Sequence, residues 1–71
     1  MTGDEVRKVK FREALHGYHP KDVDRLLEAV AEALDNGESV SALLANVTFR
    51  DKFRAYRRDD VDDLLDRLRS T

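Results

Sequence analysis

His16 and His19 stand three residues apart, and Asp59-Asp60-Val61-Asp62-Asp63 sets four carboxylates in five positions. These are the places where side-chain type and spacing could hold a metal ion, zinc on the imidazoles or a harder cation on the acids. Two histidines in a chain with no cysteine fall short of the three or four ligands zinc requires. A magnesium site of carboxylates leans on a phosphate substrate or further oxygen ligands. Carboxylates at the start of a helix have a simpler role, complementing the macrodipole and capping free N–H groups. Asp22 and Asp24 fill the same role earlier in the chain. Nucleophilic chemistry lacks its parts too. Ser39, Ser41, Ser70 and the threonines have no base and orienter, and no glycine-rich phosphate loop is present. The chain therefore reads as non-enzymatic, with no cofactor and no metal.

Residues 50 to 58 carry a different chemistry. Arg50, Lys52, Arg54, Arg57 and Arg58 surround Phe53, with Asp51 the only acid among them. Each such cation contributes on the order of 1 kcal/mol near an anionic membrane surface. One aromatic with a handful of charges gives weak, reversible association. Phe53 also admits a core position or a contact with a protein partner. Nucleic acid fits less well. The net charge is −2 although 39% of residues are charged, so no global basic field exists. The last helix would also expose Asp59, Asp62, Asp63 and Asp66 to phosphates where a recognition helix carries Arg, Lys, Asn or Gln.

The elements that must position these residues repeat. FREALHGYHPKDVDRLL at 11–27 returns as FRDKFRAYRRDDVDDLL at 49–65, at an offset of 38. Phe11, Arg12, Tyr18, Asp22, Val23, Asp24, Leu26 and Leu27 recur as Phe49, Arg50, Tyr56, Asp60, Val61, Asp62, Leu64 and Leu65. The apolar spacing i, i+3, i+4, i+7 appears in Val23-Leu26-Leu27-Val30, Val40-Leu43-Leu44-Val47 and Val61-Leu64-Leu65-Leu68, one face of a helix each time. Helices are expected from Pro20 to Asn36-Gly37, over about 39–47 with Ser39 as N-cap, over about 58–69, and briefly from Asp4. The hooks between, 10–19 and 48–57, read as loop or a single helical turn. The fold expected is all-α: one domain, 1–71, of two helix–hook–helix units, 4–36 and 39–70, packed about a pseudo-twofold axis or swapped between chains. The expected core comprises Val9, Phe11, Leu15, Tyr18, Val23, Leu26, Leu27, Val30, Leu34, Val40, Leu43, Leu44, Val47, Phe49, Tyr56, Val61, Leu64, Leu65 and Leu68. Asp24 or Asp62 is expected to pair with a hook arginine, Arg12 or Arg50. No apolar run reaches the length of a membrane span. MTGDEVRK lacks the apolar centre of a secretory signal, so a cytoplasmic location is expected.

Hook and helix start together read F-x-x-x-[LF]-x-[GA]-Y-x-x-x-[DE]-V-D-x-[FL]-L. This resembles the N-terminal domain of DivIVA-type bacterial cell-division proteins, present as two copies. The resemblance implies a binding module in division or polar growth at the cytoplasmic membrane face, contacting lipid through a Phe-Arg pair at the hook tip. Here that pair is Phe53-Arg54, with Arg50, Lys52, Arg57 and Arg58 around it. The first hook has Leu15-His16 there, a weaker version of the same membrane or partner contact, which reads more as core. Phe11, Tyr18, Phe49, Tyr56, Val23 and Val61, shared by both copies, read as scaffold. Where the resemblance implies glycine, Gly17 is answered by Ala55, and no long coiled coil follows. The partners implied are an anionic membrane, another protein or a second copy as a homodimer. The alternatives are a protein–protein module without membrane contact and, third, a nucleic-acid-binding helical domain.

Overall fold

The structure is a computed structural model and describes residues 2–70. The order is α1 (Gly3–Lys8), β1 (Glu13–Tyr18), α2 (Pro20–Asp35), α3 (Ser41–Ala45), β2 (Asp51–Tyr56) and α4 (Arg58–Arg69). Adding the repeat offset to the start of α1, β1 or α2 gives the start of α3, β2 or α4. Local chemistry sets the helix ends. The Thr2 hydroxyl accepts from the Glu5 N–H at 3.3 Å and opens α1. His19 caps α2, its Nδ1 accepting from the Lys21 N–H at 3.2 Å, and Pro20 takes the first helical position, where its missing N–H costs nothing. α2 ends where Gly37 turns left-handed at φ 72°. Glu38 then donates to the Ala33 carbonyl at 2.8 Å and Gly37 to Leu34 at 3.2 Å, which satisfies two carbonyls at the helix end. α3 is shorter than its apolar spacing predicts. Val40 is its N-cap, and the Ser39 hydroxyl instead accepts from the Ser41 N–H.

The hooks overturn the all-α expectation. Both are strands, and β1 and β2 form a two-stranded sheet. Glu13 lies across from Tyr56, His16 from Phe53, and Tyr18 from Asp51. Partner numbers fall as β1 advances, so the pair is antiparallel. The Arg57 N–H donates to the Arg12 carbonyl at 2.9 Å and the His19 N–H to the Arg50 carbonyl at 2.7 Å, closing the two ends. Neither strand has a neighbour in its own unit. Its backbone is satisfied only by the other copy, far along the chain, and nothing in EALHGY or DKFRAY alternates cleanly enough to announce it. The turn of helix conceivable at Thr48–Asp51 does not form.

Beneath the strands lies one apolar cluster. Val23, Leu27 and Val30 of α2 meet Val61, Leu64, Leu65 and Leu68 of α4, with Val6, Val40 and Leu44 from the short helices. Phe11, Tyr18, Phe49 and Tyr56 pack against it partly buried. Leu15 is 67% exposed and Leu43 37% exposed, so both leave the expected core. Ala31, Ala33 and Ala55 join it instead. Side chains this small carry little weight in an apolar pattern, yet they let backbones approach. At Gly3, an added Cβ would run into the Ala31 carbonyl and the Asp35 carboxylate, so α1 sits directly on α2.

Candidate functional site

The hooks cross, and each is held by the other unit's helix. Arg12 donates to Asp60 three times, through its backbone N–H at 2.9 Å, Nε at 3.0 Å and Nη2 at 2.7 Å. Arg50 donates to Asp22 through the same three groups, each at 3.0 Å. The Tyr18 hydroxyl donates to Asp62 at 2.9 Å and the Tyr56 hydroxyl to Asp24 at 3.0 Å. Phe11 packs on Tyr56 with ring centroids 5.0 Å apart, and Phe49 on Tyr18 at 4.9 Å. The repeat offset turns every member of this set into another member with the units exchanged. The carboxylate that pairs with the hook arginine is thus the first aspartate of each helix, Asp22 or Asp60. The second, Asp24 or Asp62, takes the tyrosine, which corrects the assignment expected from sequence.

These contacts move the titrations of the groups involved. The side-chain bonds from Arg50, helped by its backbone N–H, hold Asp22 well below the usual carboxylate range. The same bonds from Arg12 lower Asp60 to about 2. Burial, with the carboxylate each hydroxyl faces, raises Tyr18 and Tyr56. Both arginine side chains remain outward while the two aspartates are only 16% exposed. Three of the four carboxylates at 59–63 are therefore occupied by structural work. Asp60 takes Arg12, Asp62 takes Tyr18, and Asp59 lies 3.7 Å from Arg57.

At the middle of the crossing the side chains turn outward. Phe53 is 58% exposed, and Leu15 at the same repeat position is more exposed still. Neither hook tip is core, against the expectation for Leu15-His16. His16 meets Phe53 edge-on at 5.7 Å, and the Arg54 guanidinium lies 5.7 Å from the Phe53 ring centre. Of the five basic residues expected to meet a surface, Arg50, Arg57 and Arg58 pair within the chain, with Asp22, Asp59 and Asp51. Lys52 and Arg54 have no ion pair among the described residues. The tip is thus two large apolar side chains, one histidine and two uncommitted cations.

The backbone here is asymmetric. Arg54 has φ 58°, the one non-glycine residue in the left-handed region among those described. Gly17 lies outside that region, yet an added Cβ would collide with the Tyr56 carbonyl oxygen. The reason is geometric. In a regular antiparallel pair, residues directly opposite share a face and neighbours along a strand alternate. Exchange of the units would set Leu15 and Phe53 on one face. Phe53, however, lies opposite His16, whose side chain alternates with that of Leu15. Symmetry and alternation conflict at the centre of the ladder. The second hook bends at Arg54, and the first admits the Tyr56 backbone at Gly17.

The sequence picked out the tip residues but not their setting. The Gly17–Ala55 difference was a visible signal of the close approach, whereas nothing in the residue types marked Arg54 as left-handed. Val23 and Val61 are fully buried, and Phe11, Tyr18, Phe49 and Tyr56 pack partly buried against the core. Comparison of the chain with protein-family models, with curated proteins and with solved structures finds no match.

Proposed function

We propose that this chain is a non-catalytic, DivIVA-like bacterial binding module that docks reversibly on the anionic cytoplasmic face of the membrane through the crossed hook tips. The observation that carries the reading is the exposure of Phe53 and Leu15 beside Lys52 and Arg54, cations with no ion pair among the described residues. Apolar side chains of this size enter the headgroup boundary while the cations meet lipid phosphates. The association is peripheral, and no helix among the described residues is long and apolar enough to cross a membrane. Two cations and two apolar side chains give a weak contact, strengthened wherever several modules are tethered together.

Sedimentation with vesicles of graded anionic lipid content tests this. Binding is expected at low salt, falling as salt screens the cations, and reduced by Phe53→Ala and by Lys52→Ala with Arg54→Ala. Absence of binding at low salt, or binding by Phe53→Ala equal to that of the parent, sinks the membrane reading. The same apolar tip then serves a protein partner, to be sought among envelope and division proteins with Phe53→Ala as the control.

A further inference from the structure

We propose that the groove between α2 and α3 is a docking site for a short basic amphipathic helix of a protein partner, separate from the hook tips. The joint between the units builds this groove. Gly37 turns left-handed, Glu38 donates to the Ala33 carbonyl at 2.8 Å and Val40 is buried, which lays α3 back beside the last turns of α2. An open groove of about 490 Å³ results, with Ala29 and Ala33 of α2 on one side and Ala42 and Leu43 of α3 on the other. Three large apolar side chains are exposed among the described residues. Leu15 and Phe53 belong to the tip, and Leu43, 37% exposed, belongs here. The only ionisable groups lining the groove are Glu32 and Glu38. Neither has an ion pair among the described residues.

The repeat marks this surface by contrast. At the same repeat positions the other copy has Arg67 for Ala29, Asp4 for Ala42 and Glu5 for Leu43, all three exposed. Charged side chains suit those positions where they face water. Here they are replaced by small or apolar ones, with two unanswered carboxylates alongside. A groove between two helices takes a third by its apolar face, and alanines let its backbone come close. Glu32 and Glu38 set the sign of the residues beside the apolar anchor. Lys or Arg there meets opposite charge, while an acidic segment or a lipid phosphate meets repulsion. No lining residue belongs to either hook, so docking here leaves the tip free.

Titration of the full, isotopically labelled chain with a synthetic peptide tests this. The probe is a helix of about four turns, with leucines on one face at i, i+3 and i+4 spacing, lysines flanking them and alanines elsewhere. A twin peptide has glutamate for every lysine. At low salt the lysine peptide should give saturable amide shifts centred on Ala29, Ala33, Ala42 and Leu43, and the twin should give none. Leu43→Glu should weaken binding roughly tenfold or more, and so should Glu32→Gln with Glu38→Gln. Circular dichroism checks that each variant folds, and Ala29→Arg, the other copy's residue, serves if Leu43→Glu does not. Asp63→Asn with Asp66→Asn, on the acidic face of α4, should leave the affinity unchanged. Absence of shifts at about 1 mM peptide, or shifts centred elsewhere, overturns the site. So does an affinity indifferent to Leu43→Glu, or one weakened equally by the α4 pair, which marks general charge attraction. A solution mass that rises with concentration and falls back in Leu43→Glu overturns the choice of occupant in favour of a second copy.

Discussion

Gly17→Ala isolates the close approach in the crossing from every other contact. At an ordinary strand position, with φ outside the left-handed region, alanine in place of glycine stabilises a protein by about 0.4–1 kcal/mol because the unfolded chain loses freedom. Here the opposite sign is expected. The new Cβ meets the Tyr56 carbonyl oxygen and, behind it, the Tyr56 carbonyl carbon at 2.8 Å, both backbone atoms. The Arg57 N–H, one residue on, is bonded to Arg12, so the second hook cannot retreat without loosening the end of the ladder. Overpacking against atoms that cannot rotate away costs about 1–3 kcal/mol, and the upper half of that range applies. In a chain of this size each kcal/mol moves the melting midpoint by roughly 4–8 °C, so a fall of about 10–20 °C is expected. Urea and thermal unfolding followed by circular dichroism measure it. Ala55→Gly is the companion: it removes a buried methyl and adds chain freedom, so it should also destabilise, by about 1–2 kcal/mol. A Gly17→Ala midpoint equal to or above the parent's would refute the close approach, and with it the account of why the hooks differ.

Acid should loosen the crossing before it affects the helices' apolar faces. Asp22 and Asp60 titrate lower in the folded chain than in the unfolded one, so the unfolded state binds protons first as pH falls. Their contribution is complete above about pH 5 and falls as pH drops through the ordinary carboxylate range, that of Asp60 being lost by about pH 2 and that of Asp22 lower still, and a plot of urea midpoint against pH should flatten there in Asp22→Asn/Asp60→Asn. Tyr18→Phe and Tyr56→Phe each remove one hydroxyl-to-carboxylate bond, worth about 1 kcal/mol in this partly exposed setting. Because the two bonds are exchange-related, chemical denaturation should give the two variants closely matched losses, and a loss confined to one would contradict the reciprocal packing.

The helices were legible because their signals are local. Pro20 after His19, Asn36-Gly37 and the spacing of Val61, Leu64, Leu65 and Leu68 each act within a turn or two of chain, and the structure uses all of them. The hooks failed that reading because what makes them strands is each other. Glu13–Tyr18 has a buried glycine, an exposed leucine and an exposed histidine in a row, a pattern with neither period. The repeat itself held the missing information. Identical spacing in both copies of Phe-Arg, Tyr and Asp-x-Asp is what reciprocal contact between copies requires, since Arg12 can meet Asp60 only if Arg50 can meet Asp22. Read within one unit, the same residues suggested pairing with the second aspartate. The outward turn of Leu15 was hidden because an apolar residue in a small domain has core as its default.

Exposure and a costly backbone position coincide at the tip, and the residue types found there are not forced on the chain. A left-handed residue other than glycine costs roughly 1–2 kcal/mol, and glycine at position 54 would remove that cost. Burying a leucine or phenylalanine is worth about 1.5–3 kcal/mol, which Leu15 and Phe53 forgo in a domain with few large apolar residues to spare. Polar residues at both positions would leave the Arg–Asp clusters and the Phe–Tyr packing untouched, because those contacts lie toward the two ends of the ladder. The conflict between exchange symmetry and strand alternation explains why a bend must exist near the middle. It does not explain why the bend carries an arginine, or why the residues beside it are apolar and face outward. Stability surrendered at one place, with the scaffold around it intact, is the pattern of a site kept for contact. On that ground the tip, more than the acidic run or either histidine, is where substitution should change what the protein binds before it changes whether it folds.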